Sequence, residues 1–304
     1  MTKRRITGLI VFLVAAYGGA WLLALPLWLG PGLDSPYFRL LSAAMMFTPS
    51  LGVLAVWLIR RISPWEWAAR TGLTLGPSKG RTAAFVIAAW IGTPLLIAVA
   101  LEGSVALGLL RLDLGEFSLF REVLRQGGTT PADDLRPLVI AQIVTSVLVG
   151  PAVNAVHAFG EEWGWRGWLL PTLISLYGTR VALPLSGVIW GAWHAPVTLL
   201  GYNYPNLGPW AAAYFIGFCV VGGLVLGWLR IHSASIWPAV VAHGAMNASV
   251  PVILLLGDSR EEPNLVFAGL TGLMGWVLLA GLAFVLYRIR PLRAESIDQI
   301  KAAH

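Results

Sequence analysis

Three short groups of polar residues interrupt an otherwise apolar sequence. Glu161 and Glu162 are followed by Arg166 in AFGEEWGWRGWLLP, residues 158–171. His194 closes WGAWHAP, and His243 and Asn247 stand four positions apart in AHGAMNAS. Ionisable side chains at membrane depth are expensive and mark function by default. If 160–170 is helical, Glu162 and Arg166 are i and i+4, with the acid on the favourable N-terminal side. Arg166 then neutralises Glu162. Glu161 is rotated by about 100° around the helix and faces another space. A carboxylate without a cation in a poorly solvated site is a stronger base than one in water, which suits general-base work. His243 and Asn247 share one helical face. An imidazole binds a metal, orients a water or donates a proton, and a carboxamide donates to a developing oxyanion.

Each group has a plainer reading. Both glutamates can sit solvated at the cytoplasmic interface. His194 can be a core histidine bonded to a neighbouring helix, and His243 and Asn247 an interhelical hydrogen-bonded pair. Three such groups on three segments are harder to explain as separate packing events than as one site between bundle helices.

The segments that would position them are apolar blocks. The chain has 304 residues, 57% hydrophobic and 12% charged, against about 25% charged in ordinary soluble proteins. The blocks reach the length of about 20 helical residues needed to cross a bilayer. Eight spans are expected, near 6–29, 38–59, 82–101, 138–159, 181–200, 211–229, 236–256 and 265–286. The fold class is therefore all-α, a polytopic membrane protein of about eight helices, read as one integral membrane domain over 1–304. Alternating strands of a membrane barrel are absent. Arg60, Arg61, Arg70, Lys79 and Arg81 follow span two, Arg230 follows span six, and Arg288, Arg290 and Arg293 follow span eight. The opposite loops carry Asp113, Glu116, Asp133, Asp134, Asp258, Glu261 and Glu262. The positive-inside rule then places both termini in the cytoplasm, with the cell membrane as the expected location. The net charge of +6 comes mainly from these flanks. It is topological and implies no nucleic-acid partner.

Smaller features read as packing or anchoring. Trp65 and Trp67, and Tyr202, Tyr204 and Trp210, resemble interfacial aromatic belts. Phe117, Phe120 and Leu124 share a face, which fits either an amphipathic helix on the outer surface or a partly ordered loop. Ala213 and Gly217, Gly223 and Gly227, and Gly187 and Gly191 let helices approach closely. Ser186 is read as helix packing. Cys219 is the only cysteine and forms no internal disulfide. The His-Glu-x-x-His zinc signature is absent, and no aspartate lies inside a span.

Taken in order, the motifs resemble the CAAX-protease and bacteriocin-processing (Abi) family of intramembrane endopeptidases, which includes the type II prenyl-protein endopeptidases. Glu161, Glu162 and Arg166 match Glu-Glu-x-x-x-Arg. Trp190 and His194 match aromatic-x-x-x-His, and His243 and Asn247 match His-x-x-x-Asn. The motif-bearing core runs from about 138 to 256. The resemblance implies that Glu161 activates water for peptide hydrolysis with help from His194. It also implies that His243 and Asn247 complete the water site and stabilise the oxyanion, with Glu162, Arg166 and Trp190 in support. Family members have been described both as metalloproteases and as glutamate-dependent enzymes without a catalytic metal. Glu161, His194 and His243 are the ligands if a divalent ion such as zinc is held. A liganded Glu161 would not serve freely as base, which favours activation of water by the glutamate alone. Trp190 stands where phenylalanine is common in the prenyl-protease branch, which bears on prenyl specificity. The expected partners are membrane lipid and a peptide or protein tail, with or without a lipid, entering from the cytoplasmic side. Two other classes compete. One is a catalytically silent immunity or scaffold protein. The other is a proton-coupled transporter, disfavoured by the lack of inverted repeats.

Overall fold

Long apolar runs with internal backbone bonding give helices and little else, because unpaired amides are not tolerated in hydrocarbon. The structure is a computed structural model that describes residues 2–292 and 297. Arg293 lies outside the described residues. The helices are α1 (Thr2–Trp28), α2 (Phe38–Met45), α3 (Thr48–Arg60), α4 (Pro64–Arg70), α5 (Lys79–Ala106), α6 (Ser118–Gln126), α7 (Arg136–Leu148) and α8 (Gly150–Glu162). A π-helix, Trp163–Leu169, follows without a break. Then come α9 (Leu170–Tyr177), α10 (Thr179–Trp193), α11 (Ala195–Thr198), α12 (Trp210–Ser233), α13 (Trp237–Ser249), α14 (Val252–Leu256) and α15 (Leu273–Ile289). No strand occurs among the described residues, so the all-α class holds.

Five stretches are long and apolar enough to cross a membrane: Lys3–Trp28, Phe38–Arg60, Lys79–Ala106, Trp210–Ser233 and Trp237–Leu256. A sixth is broken, with Arg136–Leu148 and Gly150–Tyr177 bent by 52° to one another. The other two expected spans are short. α10 has 15 residues and α15 has 17. The expected span 138–159 is placed differently in another respect. Its helix continues through the charged motif to Tyr177, and the chain turns only at Gly178, which has φ +74°. Hydropathy stops at Glu161, but the carboxylates are satisfied inside the protein, so the helix does not stop there.

The chain packs as two compact units. The first comprises Met1–Val86, Val156–Val240 and Leu279–His304, and the second Ile87–Ala155 and Val241–Leu278. In the first, α1 packs along α3 and α10 along α12. The second contact is close because of two glycines. A Cβ at Gly187 would lie 2.6 Å from the Val220 Cα, and one at Gly191 would lie 2.5 Å from the Ile216 Cα. Tryptophans fill the rest. Phe12 lies against Trp168 with centroids 4.8 Å apart, and Trp165 meets Trp193 edge-on at 5.7 Å. Trp193 Nε1 donates to the Ala16 carbonyl and to Thr48 Oγ1. Trp67 and Tyr204 are buried here at 5% and 1% exposure, so they are core residues rather than interfacial anchors. Trp65, Tyr202 and Trp210 remain exposed.

In the second unit, Phe117, Phe120, Leu135 and Val139 form a buried cluster backed by Leu124, Ile143, Leu255 and Leu256. The apolar face of 117–124 therefore turns inward onto α7 and α14 rather than into lipid. A latch holds this corner. Leu112 and Gly257 form an isolated antiparallel bridge, and Arg260 and Arg111 clamp the Asp258 carboxylate. Asp113 accepts from the amides of Gly115, Glu116 and Ser118. The Arg260 hydrogen bonds hold the Asp258 carboxyl well below its ordinary range. Its folded pKa is depressed, so its contribution is present above the unfolded value near 3.8 and is lost as pH falls through the folded value. Asp258→Asn is expected to lower the melting temperature at neutral pH, and the gap to wild type should close on acidification below about pH 4. A gap that does not change with pH would show that ionisation of the Asp258 carboxyl contributes nothing to stability.

Candidate active site

Glu161 and Glu162 end α8 in the interior of the first unit. Neither is solvated: their exposures are 1% and 0%, and that of Arg166 is 2%. The segment is held from outside itself. Ser50 Oγ on α3 donates to the Gly160 carbonyl at 2.7 Å, one residue before Glu161. Beyond Glu162 the ladder widens into the π-helix, whose seven residues are all buried. Trp163 Nε1 donates to Thr71 Oγ1 at 3.0 Å, and Arg230 Nε donates to the Arg166 carbonyl at 3.1 Å. π-turns are rare and recur at functional sites. Here the wide turn carries the arginine of the motif.

The two glutamates have different partners. Arg166 Nη1 bonds Glu162 Oε1 at 2.7 Å, as the i, i+4 spacing requires. Glu161 Oε2 accepts from the indole Nε1 of Trp190 at 2.7 Å. Trp190 also packs its ring under Arg166, whose guanidinium carbon lies 4.1 Å from the ring centroid. Its carbonyl lies 3.0 Å from His194 Nδ1. In the tautomer with the proton on Nδ1, this contact is a hydrogen bond and Nε2 carries the lone pair. His194 is boxed by Trp193 and Phe215, at centroid distances of 4.7 and 4.6 Å.

His194 is not deep inside a helix, as the span 181–200 implied. α10 ends at Trp193, and His194 is the joint before α11, where Pro196 occupies the first turn. Proline cannot continue the backbone ladder of α10, so the helix breaks and restarts. Ser186 donates its hydroxyl to the Leu183 carbonyl, a packing role.

His243 and Asn247 belong to the second unit, one turn apart on α13. His243 is buried and Asn247 half-buried. α13 approaches the start of α8 closely there, since a Cβ at Gly244 would lie 2.8 Å from the Ala155 amide.

Of the three ligands named in the sequence, Glu161 and His194 lie in the first unit, and a catalytic zinc takes three protein ligands. That pair alone does not make a metal site. Among the described residues no three His, Cys, Asp or Glu side chains are grouped to hold an ion.

Four neighbours of the motif were not singled out from the sequence. His157 precedes Glu161 by one helical turn on the same side of α8, a spacing visible in the sequence. Burial of its phenol and then the Glu161 charge push the Tyr202 pKa up, although the residue as a whole is 40% exposed. Ser50 and Arg230 brace the backbone from distant segments, and no local pattern announces them.

Fold and site together describe an all-α polytopic membrane protein with buried, separately partnered carboxylates. Residues 142–249 match the family model described as type II CAAX prenyl endopeptidase Rce1-like. All three motifs lie inside that stretch. A CAAX prenyl protease 2 of Methanococcus maripaludis is 27% identical over 105 residues, which is 33% of this chain and 39% of that protein. The match thus spans well under half the length of that relative. Over this stretch the chain is thus similar to type II CAAX prenyl endopeptidases, in agreement with the three motifs.

Proposed function

We propose that this chain is an intramembrane endopeptidase that hydrolyses a peptide bond with water activated by Glu161. The observation that carries the reading is the separation of the two carboxylates. Arg166 is engaged by Glu162, while Glu161, equally buried, is held by an indole N–H. A buried carboxylate distinct from the one that engages the adjacent arginine is a fitting general base. In the proposed reaction Glu161 takes a proton from water as its oxygen adds to the scissile carbonyl carbon. The tetrahedral intermediate then expels the amine, which receives that proton. His194 orients the water, and the resemblance assigns stabilisation of the oxyanion to His243 and Asn247. The substrate is a peptide or a protein tail within the membrane. Whether it carries a lipid is decided by comparing matched substrates with and without one. The cell membrane and cytoplasmic termini remain part of the proposal, on the strength of the basic flanks.

The test is cleavage of membrane-embedded peptides by purified protein in nanodiscs, with products identified by mass. Cleavage is expected, and its absence across a broad peptide pool would end the hydrolase reading. Metal dependence is tested in the same assay. Asn247 is a poor zinc ligand but a good oxyanion donor, so chelation is expected to leave turnover nearly unchanged. About one zinc per chain, with activity lost on removal and restored on return, would overturn the metal-free mechanism.

A further inference from the structure

Trp190 touches Glu161, Arg166 and His194, each through a different part of the residue. Its indole N–H meets Glu161 Oε2 at 2.7 Å, its ring face meets Arg166 at 4.1 Å, and its carbonyl stands 3.0 Å from His194 Nδ1. The residue is 1% exposed. Its ring edge lies near Gly222 of α12, where a Cβ would stand 3.9 Å from Cζ3. The ring is therefore fixed in plane by a guanidinium on its face and by a helix at its edge. A fixed ring makes the direction of its N–H fixed as well.

We propose that Trp190 is a positioning residue that orients Glu161 through its indole N–H and His194 through its carbonyl, and that the Glu162–Arg166 pair acts on Glu161 through the Trp190 ring. The inference rests on the hydrolase reading and deepens it. A carboxylate rotates freely unless one oxygen is bonded. A bond from a rigid donor sets the plane of the group and hence the direction from which it can meet a water. Phenylalanine at 190 would keep the ring for Arg166 but could not make this bond. The carbonyl contact is independent of side-chain type and would survive the change. Substitution at 190 therefore separates the Glu161 role from the His194 role.

The experiment replaces Trp190 with β-(3-benzothienyl)alanine, which has the shape of tryptophan with sulfur in place of N–H, and in parallel makes Trp190→Phe. Loss of one hydrogen bond to a charged group predicts that kcat falls about 10- to 100-fold. KM should stay within about twofold, as for an interaction made in the transition state. The benzothienyl protein should still fold, since packing is retained, with its melting point lowered only by the one lost bond. An unchanged kcat in the benzothienyl protein overturns the proposal, and so does a loss confined to KM. The bond is also read without turnover. The indole N–H band in ultraviolet resonance Raman, isolated by subtracting Trp190→Phe, should shift when Glu161→Gln is introduced. No shift overturns the bond whatever the activity. Wild-type protein that shows the shift but cleaves nothing leaves the contact standing and sinks the hydrolase reading, and the positioning role with it.

Discussion

Glu161→Gln is expected to reduce turnover by about 100- to 10,000-fold, the range of a lost general base, while the protein melts close to wild type. The second half of that expectation comes from the structure. Glutamine has the same shape, and its carbonyl oxygen can still accept from Trp190 Nε1, which now stands 2.7 Å from Oε2. Arg166 keeps its bond to Glu162. A buried charge is also removed, which offsets the weaker hydrogen bond. Peptide cleavage and thermal melting on one preparation decide the matter. Retained turnover would remove Glu161 from the chemistry. A collapse of the fold would make it a structural residue.

The contrast with Glu162 was legible because helical geometry is local. Residues four apart meet, and residues one apart face different ways, so the pair and the odd carboxylate follow from spacing alone. The ion pair forms although the π-helix begins directly after Glu162, because Arg166 is long enough to reach back across the widened turn. The π-helix itself was not legible. It depends on Thr71 and Arg230, which come from loops and helices remote in sequence. Span boundaries failed for a related reason. Hydropathy treats a carboxylate as an exit from the membrane, whereas partners on α10 and in the π-helix let the helix run on to Tyr177. The same holds for Trp67, Tyr204 and the 117–124 face. Amphipathic side chains suit both an interface and a core, and only tertiary packing chooses between them. The close approach of α10 and α12 was readable, because nothing larger than glycine fits at 187 and 191.

Glu162→Gln should behave in the opposite way to Glu161→Gln, with the larger effect on stability. Both members of the Glu162–Arg166 pair are buried, at 0% and 2% side-chain exposure, and they meet at 2.7 Å. Removing one member of such a pair leaves an uncompensated charge in a poor solvent, which costs roughly 3–5 kcal/mol. Arg166 cannot escape to water, because its carbonyl is bonded by Arg230 and its guanidinium is stacked on Trp190. The nearest acid in sequence is Glu161, so the stranded cation would also turn toward the proposed base and quench it. Activity should fall with stability. The double change Glu162→Gln with Arg166→Met removes the stranded charge, and it should recover much of the melting temperature, as replacing both members of a buried pair with neutral residues often does. It should not recover full turnover, since the cation over the Trp190 ring is gone. Melting curves and cleavage rates for the wild type, the two single variants and the double variant form the test. If Glu162→Gln melts like wild type, or if the double variant melts lower than Glu162→Gln, the pair is not the support that holds Glu161 in place.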